Sequence, residues 1–401
     1  MRTRALEQLY TYHNRSKARL SRIMNLPMEV RAEGCEIIDE QENRYLDCGG
    51  FGVFILGHRH PKVVESVRAQ LDLMPMSSRL LVNGPLAEAS QALIESCPDN
   101  LRYCFFTNSG AESTELALKL VRANGCKKVI ALSNSYHGKT LGALSVTYRA
   151  EFRQPFGPLL FDVEFVPRED ITALEHACTH QEGRCAIIAE VVQGEGGVFP
   201  LSMTFIQAIE RMRERYGCVV IYDEIQSGLG RTGELWALDK YNSQPDIMLI
   251  GKALSGGVVP CAAIAATESL FSPLNNDFML HSSTFGGSQI SLAAATATLK
   301  VISDENIVLK ARQLGREIKT TFTELVQGRD IQIRGEGLLI GVDTGCPAKA
   351  GRLALNLLKQ RVITSNTLSN ANTLRFSPSA LLEERHLDHL FDAFSSAINK
   401  L

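Results

Sequence analysis

Two residues suggest chemistry before any others do. Lys252 stands in Gly251-Lys252-Ala253-Leu254-Ser255-Gly256-Gly257, directly after an apolar run. An amine among small residues has room beside it for a bulky covalent partner, and partial burial lowers its pKa towards the range where it is a nucleophile. Asp223 ends another apolar run, Val219–Tyr222, with Glu224 beside it. A carboxylate on a rigid strand end can hold a proton on a facing ring nitrogen by charge pairing. Ser109-Gly110-Ala111-Glu112 lies between an apolar run and a strong helix pattern. Small residues there let backbone N–H groups close around an anion at the positive helix end. Tyr136-His137-Gly138-Lys139 adds an aromatic face, an imidazole and an amine. Taken singly, each feature has a plainer explanation: a solvated lysine, a helix cap, a salt bridge.

The glycine pattern Gly228-x-Gly230-x-x-Gly233 invites a dinucleotide reading, which fails on spacing. That loop needs its first glycine directly after the strand, with the next helix opening on the pyrophosphate. Here Asp223, Glu224, Ile225, Gln226 and Ser227 intervene, and two carboxylates repel a pyrophosphate. No Gly-Lys-Ser/Thr follows Ser109-Gly110, which excludes a nucleotide P-loop. What accounts for all the features in their order is pyridoxal 5'-phosphate. An anion nest takes its phosphate, an aromatic lies on its ring, an acid protonates the ring nitrogen, and a lysine forms a Schiff base with its aldehyde.

These groups need rigid mounts, and the chain supplies them. Apolar runs at Cys104–Asn108, Lys128–Ser133, Cys185–Val192, Val219–Glu224 and Asp246–Gly251 alternate with helical patterns such as ESTELALKLVRANG and TFIQAIERMRERYG. Such alternation predicts an α/β fold with a mainly parallel central sheet covered by helices on both faces. Ligands then sit at the carboxyl ends of the strands, where the candidates lie. Beyond Val301 a long charged helix pattern, RGEGLLIGV, LALNLLKQR and a last amphipathic segment predict a smaller α+β domain. The expected division is an N-terminal arm at 1–45, a large domain at 46–300 and a small domain at 301–401.

Composition excludes other classes. The chain has 401 residues, 45% hydrophobic and 21% charged, with 42 Lys plus Arg against 44 Asp plus Glu, a net charge of −2. No dense basic stripe marks a nucleic-acid partner, and no run reaches the roughly 20 apolar residues of a membrane span. Ten cysteines occur without CxxC pairs or zinc spacing, so no metal site and a reducing, cytoplasmic setting are expected. The first residues lack the apolar core of a secretory signal.

From about Gly34 onward the chain resembles class III pyridoxal-phosphate aminotransferases, the ornithine and acetylornithine aminotransferase family. The stretches that carry this are NSGAESTELALKLVR, YHGKTLGALSVT, VVQGEGGVFP, YDEIQSGLGRTG, GKALSGG and STFGG. Within the family, DCGGFGVFILGHRHP, EFRQPFGPLL, FMLHSSTFGG and QRVITSNTLSNANTLR most resemble putrescine aminotransferases. The resemblance implies the PLP-dependent transferase fold type I and a homodimer with active sites at its interface. It implies that Lys252 carries the cofactor and moves the substrate proton, and that Asp223 pairs with the ring nitrogen. It places Gln226 near the phenolic oxygen, Tyr136 and Ile225 on the two ring faces, and His137 in the cofactor site. Ser109, Gly110 and Ala111 would hold the phosphate, with Thr284 from the neighbouring subunit.

For substrate, the resemblance implies that Arg375 grips the carboxylate of an oxoacid and that Glu195 neutralises it when an amine without that carboxylate is bound. Glu190, Lys139, Phe51 and Phe54 complete the expected substrate set, the two phenylalanines offering an apolar wall to a methylene chain. The chain departs from the family's pattern at Glu36, where ornithine-using members have Tyr, and at Lys139, where they have Arg. It departs again at Val191, in place of Pro, and at LRFSPSAL, in place of Arg-x-x-Pro-Pro-Leu. The expected reaction moves an amino group from a putrescine-like ω-amine to 2-oxoglutarate. Ornithine, acetylornithine or 4-aminobutyrate as donor, or a non-transferring aminomutase or decarboxylase, are the alternatives.

Overall fold

The strand ends that carry Glu190 and Asp223 lie side by side because their strands pair in parallel, Asp223 opposite Glu190 and Val219 opposite Ala186. The computed structural model describes residues 1–160, 162–179 and 184–401. Its central sheet has seven strands, ordered Tyr103–Thr107, Ala262–Ala266, Ile247–Ile250, Val219–Asp223, Cys185–Glu190, Lys128–Leu132 and Asp162–Val166. All run parallel except Ala262–Ala266, which is antiparallel to both neighbours. The five apolar runs are strands here, shifted or trimmed by a residue or two at their ends. Two strands escape the sequence pattern. Ala262–Ala266 reads AAIAA, and alanine favours helices over strands. Full burial between two neighbours overrides that preference.

Alternation along each strand decides which side chains face which layer. Val220 and Tyr222 join one apolar cluster, while Val219 and Ile221 join the other. The second cluster includes Leu116, Ala117, Leu120 and Val121 of the helix Gly110–Ala123. By the same alternation Asp223 points to that helix's side and Glu224 away from it. Glu224 accordingly accepts from Leu238 N at 2.8 Å and bonds Ser227, a local structural role.

Two four-stranded sheets and a two-stranded ribbon, Val192–Gln193 with Phe199–Pro200, complete the described residues. Strands Glu29–Glu33, Glu36–Asp39 and Arg44–Asp47 form an antiparallel ribbon, and Val362–Ile363 joins its edge in parallel. The early residues are thus tied to the late ones. Strands Gln332–Glu336, Leu339–Asp343, Thr373–Phe376 and Ser365–Asn366 form the other sheet, all antiparallel. Phe322, Phe376 and Phe394 pack behind it, the Phe322 and Phe394 rings stacked at 3.8 Å.

The Gly228–Gly233 run is a joint between these parts. Gly230 and Gly233 have φ of 90° and 85°, a region open to glycine. A Cβ on Gly228 would lie 2.7 Å from the Trp236 ring. Arg231, fully buried, donates to the carbonyls of Leu338, Pro378 and Gly52, so one guanidinium links three distant segments.

Helix Ile307–Leu325 meets the turn between Gln332–Glu336 and Leu339–Asp343 at Gly315, where a Cβ would sit 2.1 Å from the Gly337 carbonyl oxygen. In an open helix Gly→Ala gains about 1 kcal/mol. Here the sign reverses: Gly315→Ala is expected to cost about 1–3 kcal/mol, read as a lower thermal midpoint. A midpoint equal to or above wild type would show that the two backbones do not meet this closely.

Candidate active site

Three carboxyl ends of the sheet, the start of helix Gly110–Ala123 and the loop after Lys128–Leu132 converge on a cavity of about 220 Å³. Its lining includes Gly110, Ala111, Tyr136, His137 and Lys139 together with Glu190, Glu195, Asp223, Ile225, Gln226 and Lys252. Residues 142 positions apart in sequence, from Gly110 to Lys252, therefore share one small space.

Asp223 is held from two directions. Ile225 N donates to Oδ1 at 3.0 Å, and His137 Nδ1 lies 2.7 Å from Oδ2. A carboxylate only accepts, so Nδ1 is assigned the proton. The imidazole is itself fixed: its backbone N donates to Thr147 Oγ1 at 3.0 Å, and Thr114 Oγ1 donates to its carbonyl at 2.9 Å. His137 thus stands behind Asp223 and orients it. Neighbouring Glu190 accepts from Tyr136 N at 2.9 Å and Gly194 N at 3.2 Å. Burial pushes its carboxyl up to about 7, His137 opposing and Asp223 adding to the rise. Its contacts make it a positioning group for Tyr136 and the Gly194 turn.

Lys252 has φ of 47°, an uncommon backbone for a side-chain-bearing residue and a feature that clusters at functional sites. Burial lowers its amine to about 8, with Arg375 acting in the same direction and Glu195, Asp223 and Glu190 against it. Ile225 packs between two glycines; a Cβ on Gly110 would come within 2.7 Å of its Cδ1 and one on Gly251 within 3.3 Å of its Cγ2.

Glu195 and Arg375, far apart in sequence, close on each other at 2.5 Å, both buried. Burial alone would raise the Glu195 carboxyl; the Arg375 guanidinium and then Lys252 outweigh it and hold the carboxyl below its usual range. Leu368 N donates to its second oxygen at 3.0 Å. Arg375 also donates to Gln226 Oε1 at 3.1 Å and Ser365 Oγ at 3.2 Å, and Gln226 Nε2 donates to Phe51 O at 3.3 Å. The Ser377-Pro378-Ser379 stretch after Arg375, with Ser379 in place of the second Pro, is anchored: Ser377 N donates to Cys48 O at 2.7 Å and Ser379 Oγ to Ile55 O at 3.0 Å.

Of the other expected residues, all but Lys139 lie outside the cavity lining. Ser109 is the N-cap of its helix and accepts from Glu112 N at 3.3 Å. Phe51 is 59% exposed, and Phe54 packs on the His58 ring at 3.9 Å, so the two do not form a wall of this chain's cavity. Lys139 stands over the Phe152 ring at 4.0 Å at the cavity's rim. Thr284 is exposed, its carbonyl accepting from Arg79 at 2.5 Å. Arg231 was not singled out from sequence; its place inside a glycine pattern hid it, although a glycine-flanked Arg following two strand-end acids was visible.

Residues 18–398 match the family described as aminotransferase class-III. The chain belongs to the class III aminotransferases. It is similar to the ornithine aminotransferase of Toxoplasma gondii, at 26% identity over 96% of this chain and 95% of that one, with a TM-score of 0.88. It is similar to the omega transaminase of Pseudomonas jessenii solved in complex with PMP, at 25% identity over 99% and 97%, with a TM-score of 0.90. A Plasmodium yoelii ornithine aminotransferase aligns at 25% identity over 93% and 94%, with a TM-score of 0.81. The class III aminotransferase is a pyridoxal-phosphate-dependent transaminase of fold type I.

The donor set fits that cofactor. A helix start leaves the Gly110 and Ala111 N–H groups outward for a phosphate, a buried acid and an amine of lowered pKa share the cavity, and glycine at 110 keeps space a Cβ would fill. Bound pyridoxal phosphate supplies the electron sink that makes a carbon-bound proton of the substrate removable. Lys252 would hold it and move that proton, Asp223 would face its ring nitrogen, and Tyr136 and Ile225 would cover its faces. His137 keeps the Asp223 carboxylate aimed, and the paired Glu195 and Arg375 keep two buried charges balanced beside the reacting centre.

Because burial favours the neutral amine, Lys252 is half neutral near pH 8. Loading of apoenzyme with pyridoxal phosphate, followed by absorbance, is expected to speed up about tenfold per pH unit below that point and to level off above it. An ordinary lysine would keep accelerating towards about pH 10, and such a profile would contradict the assignment.

Proposed function

We propose that this aminotransferase moves the amino group of a short diamine or other ω-amine, putrescine-like, to 2-oxoglutarate, releasing an aminoaldehyde and glutamate. The observation that carries the reading is the closed Glu195–Arg375 pair, 2.5 Å apart, in which Glu195 lines the cavity and Arg375 stands directly behind it. An amine donor without a carboxylate has nothing for Arg375 to grip, and Glu195 spares it an unpaired buried cation. An oxoacid can replace Glu195 on the guanidinium, which binds carboxylates two-pronged. One cavity thus serves two unlike substrates in turn. Lys139 at the rim suits the second carboxylate of a dicarboxylate. Glu36, where ornithine users have Tyr, is bound to Arg44 at 2.7 Å and lies outside the cavity lining, which supports a donor without an α-carboxylate.

Dimer formation is part of this reading. Leu80, Leu81, Val82, Phe278, Met279 and Phe285 are all more than 70% exposed except Phe285 at 62%, an apolar set suited to a second copy. Thr284 lies beside Phe285 on that surface. Ten free cysteines suit a reducing, cytoplasmic setting, and among the described residues no helix is long and apolar enough to cross a membrane.

A donor screen with 2-oxoglutarate, measuring glutamate, tests the substrate. Putrescine and cadaverine are expected to be used well and ornithine poorly; the reverse order would refute the donor. Sustained consumption of the amine should depend wholly on the added oxoacid, since an aminomutase or decarboxylase would turn over without it. Glu195→Gln leaves Arg375 uncompensated in the amine half-reaction. Its kcat/KM for the amine is expected to fall about 10–100-fold, the ~1.4–3 kcal/mol of one charge-assisted contact, while the oxoacid half-reaction is kept. Equal losses in both halves would show that Glu195 does not act as the exchangeable partner.

A further inference from the structure

Among the described residues, a second chemistry-bearing cluster lies at the opposite end of the sheet. Cys185 opens the strand Cys185–Glu190, and Cys218 immediately precedes Val219–Asp223. Since Val219 pairs with Ala186, Cys218 and Cys185 stand side by side at the amino ends of neighbouring parallel strands. Cys178, near the end of helix Ile171–Thr179, comes over them. The three Sγ atoms lie within 4.8 Å of one another, and the residues are 5%, 3% and 1% exposed in order of sequence. All three belong to one apolar cluster on one face of the sheet. Cys185 Sγ and Cys218 Sγ are 3.2 Å apart, closer than the roughly 3.5–4.0 Å at which packed heavy atoms sit.

Buried thiols that only fill space behave as small apolar groups, and nothing requires their sulfurs to converge. We propose that Cys178, Cys185 and Cys218 form a thiolate site for a soft divalent cation such as zinc or cadmium. Zn–S bonds of about 2.3 Å place tetrahedral ligand sulfurs about 3.8 Å apart, a spacing between the 3.2 Å and 4.8 Å limits of this trio. Binding exchanges the thiol protons, released to solvent, for three metal–sulfur bonds, so no oxidant or reductant takes part. A divalent ion leaves a net charge of −1 on the trio, far smaller than three bare thiolates would bury. Two ligands sit on strands and one on a helix, so the ion would clip helix to sheet. The cavity of Lys252 lies at the other pole, about five residues or ~16 Å along the strand from Cys218. The clip is therefore structural, and transamination does not depend on it.

The test uses reduced holoenzyme stripped of metal and titrated with Cd²⁺ against a chelator, with thiolate-to-cadmium charge-transfer absorbance as the signal. One site per chain is expected, displaced by Zn²⁺ and accompanied by a higher thermal midpoint. Cys178→Ser removes one ligand from the helix side, and the cofactor's own absorbance reports whether that variant is folded. Its cadmium affinity is expected to fall more than about tenfold, whereas Cys346→Ser, a half-buried thiol elsewhere, leaves it unchanged. Equal affinity in wild type and Cys178→Ser, or no stoichiometric site, would overturn the proposal. So would a Cys185–Cys218 disulfide as the resting state in protein purified without reductant, since it would leave a single thiolate.

Discussion

Charges inside a protein must be paired or neutralised, and the cavity at the sheet's carboxyl edge gathers three buried acids and Lys252, with Arg375 behind its wall. Each acid has a separate answer. Asp223 is held by His137 and a backbone N–H. Glu195 is bound to Arg375. Glu190, with no cation of its own, is pushed up to about 7 and accepts two backbone N–H bonds. The amine of Lys252, surrounded by this set and buried, falls to about 8. The network spreads further, since Gln226 joins Arg375 to Phe51. In the proposed reaction, such internal balance lets the site take substrates that bring or lack a carboxylate.

Geometry follows from strand alternation. Asp223 and Glu190 are in register on neighbouring parallel strands, so both side chains face the layer of helix Gly110–Ala123. Adjacent Glu224 turns to the other side and bonds within its own loop. The two acids that follow one another in sequence are therefore assigned unlike tasks by a period of two.

Arg375 comes from a different sheet and must be delivered to the cavity. Arg231 anchors that delivery, since its guanidinium holds the carbonyls of Leu338, Pro378 and Gly52. Pro378 lies three residues beyond Arg375, and Gly52 beside Phe51, whose carbonyl meets Gln226. The glycine pattern that looks like a dinucleotide loop serves this joint: Gly228 makes way for Trp236, and Gly233 packs on Arg312.

Much of this was legible in the chain itself. Strand–helix alternation, the strand-end position of Asp223 and the glycine-flanked Lys252 are local features, because hydrophobic period and turn residues act over a few positions. Motif order then pointed to the cofactor. Local pattern failed where burial overrode propensity, as in Ala262–Ala266, an alanine run that pairs between two strands. It also failed where residues meet only after the sheet forms. The Arg375–Glu195 contact spans 180 residues, and no spacing rule announces it without a family likeness. Cys178, Cys185 and Cys218 show no metal spacing along the chain, yet their sulfurs converge. Phe51 and Phe54, close in sequence, have unlike settings, one exposed and the other packed on His58. Short-range order is written in neighbouring residues, whereas proximity across the sheet depends on strand register and packing, which belong to the chain as a whole.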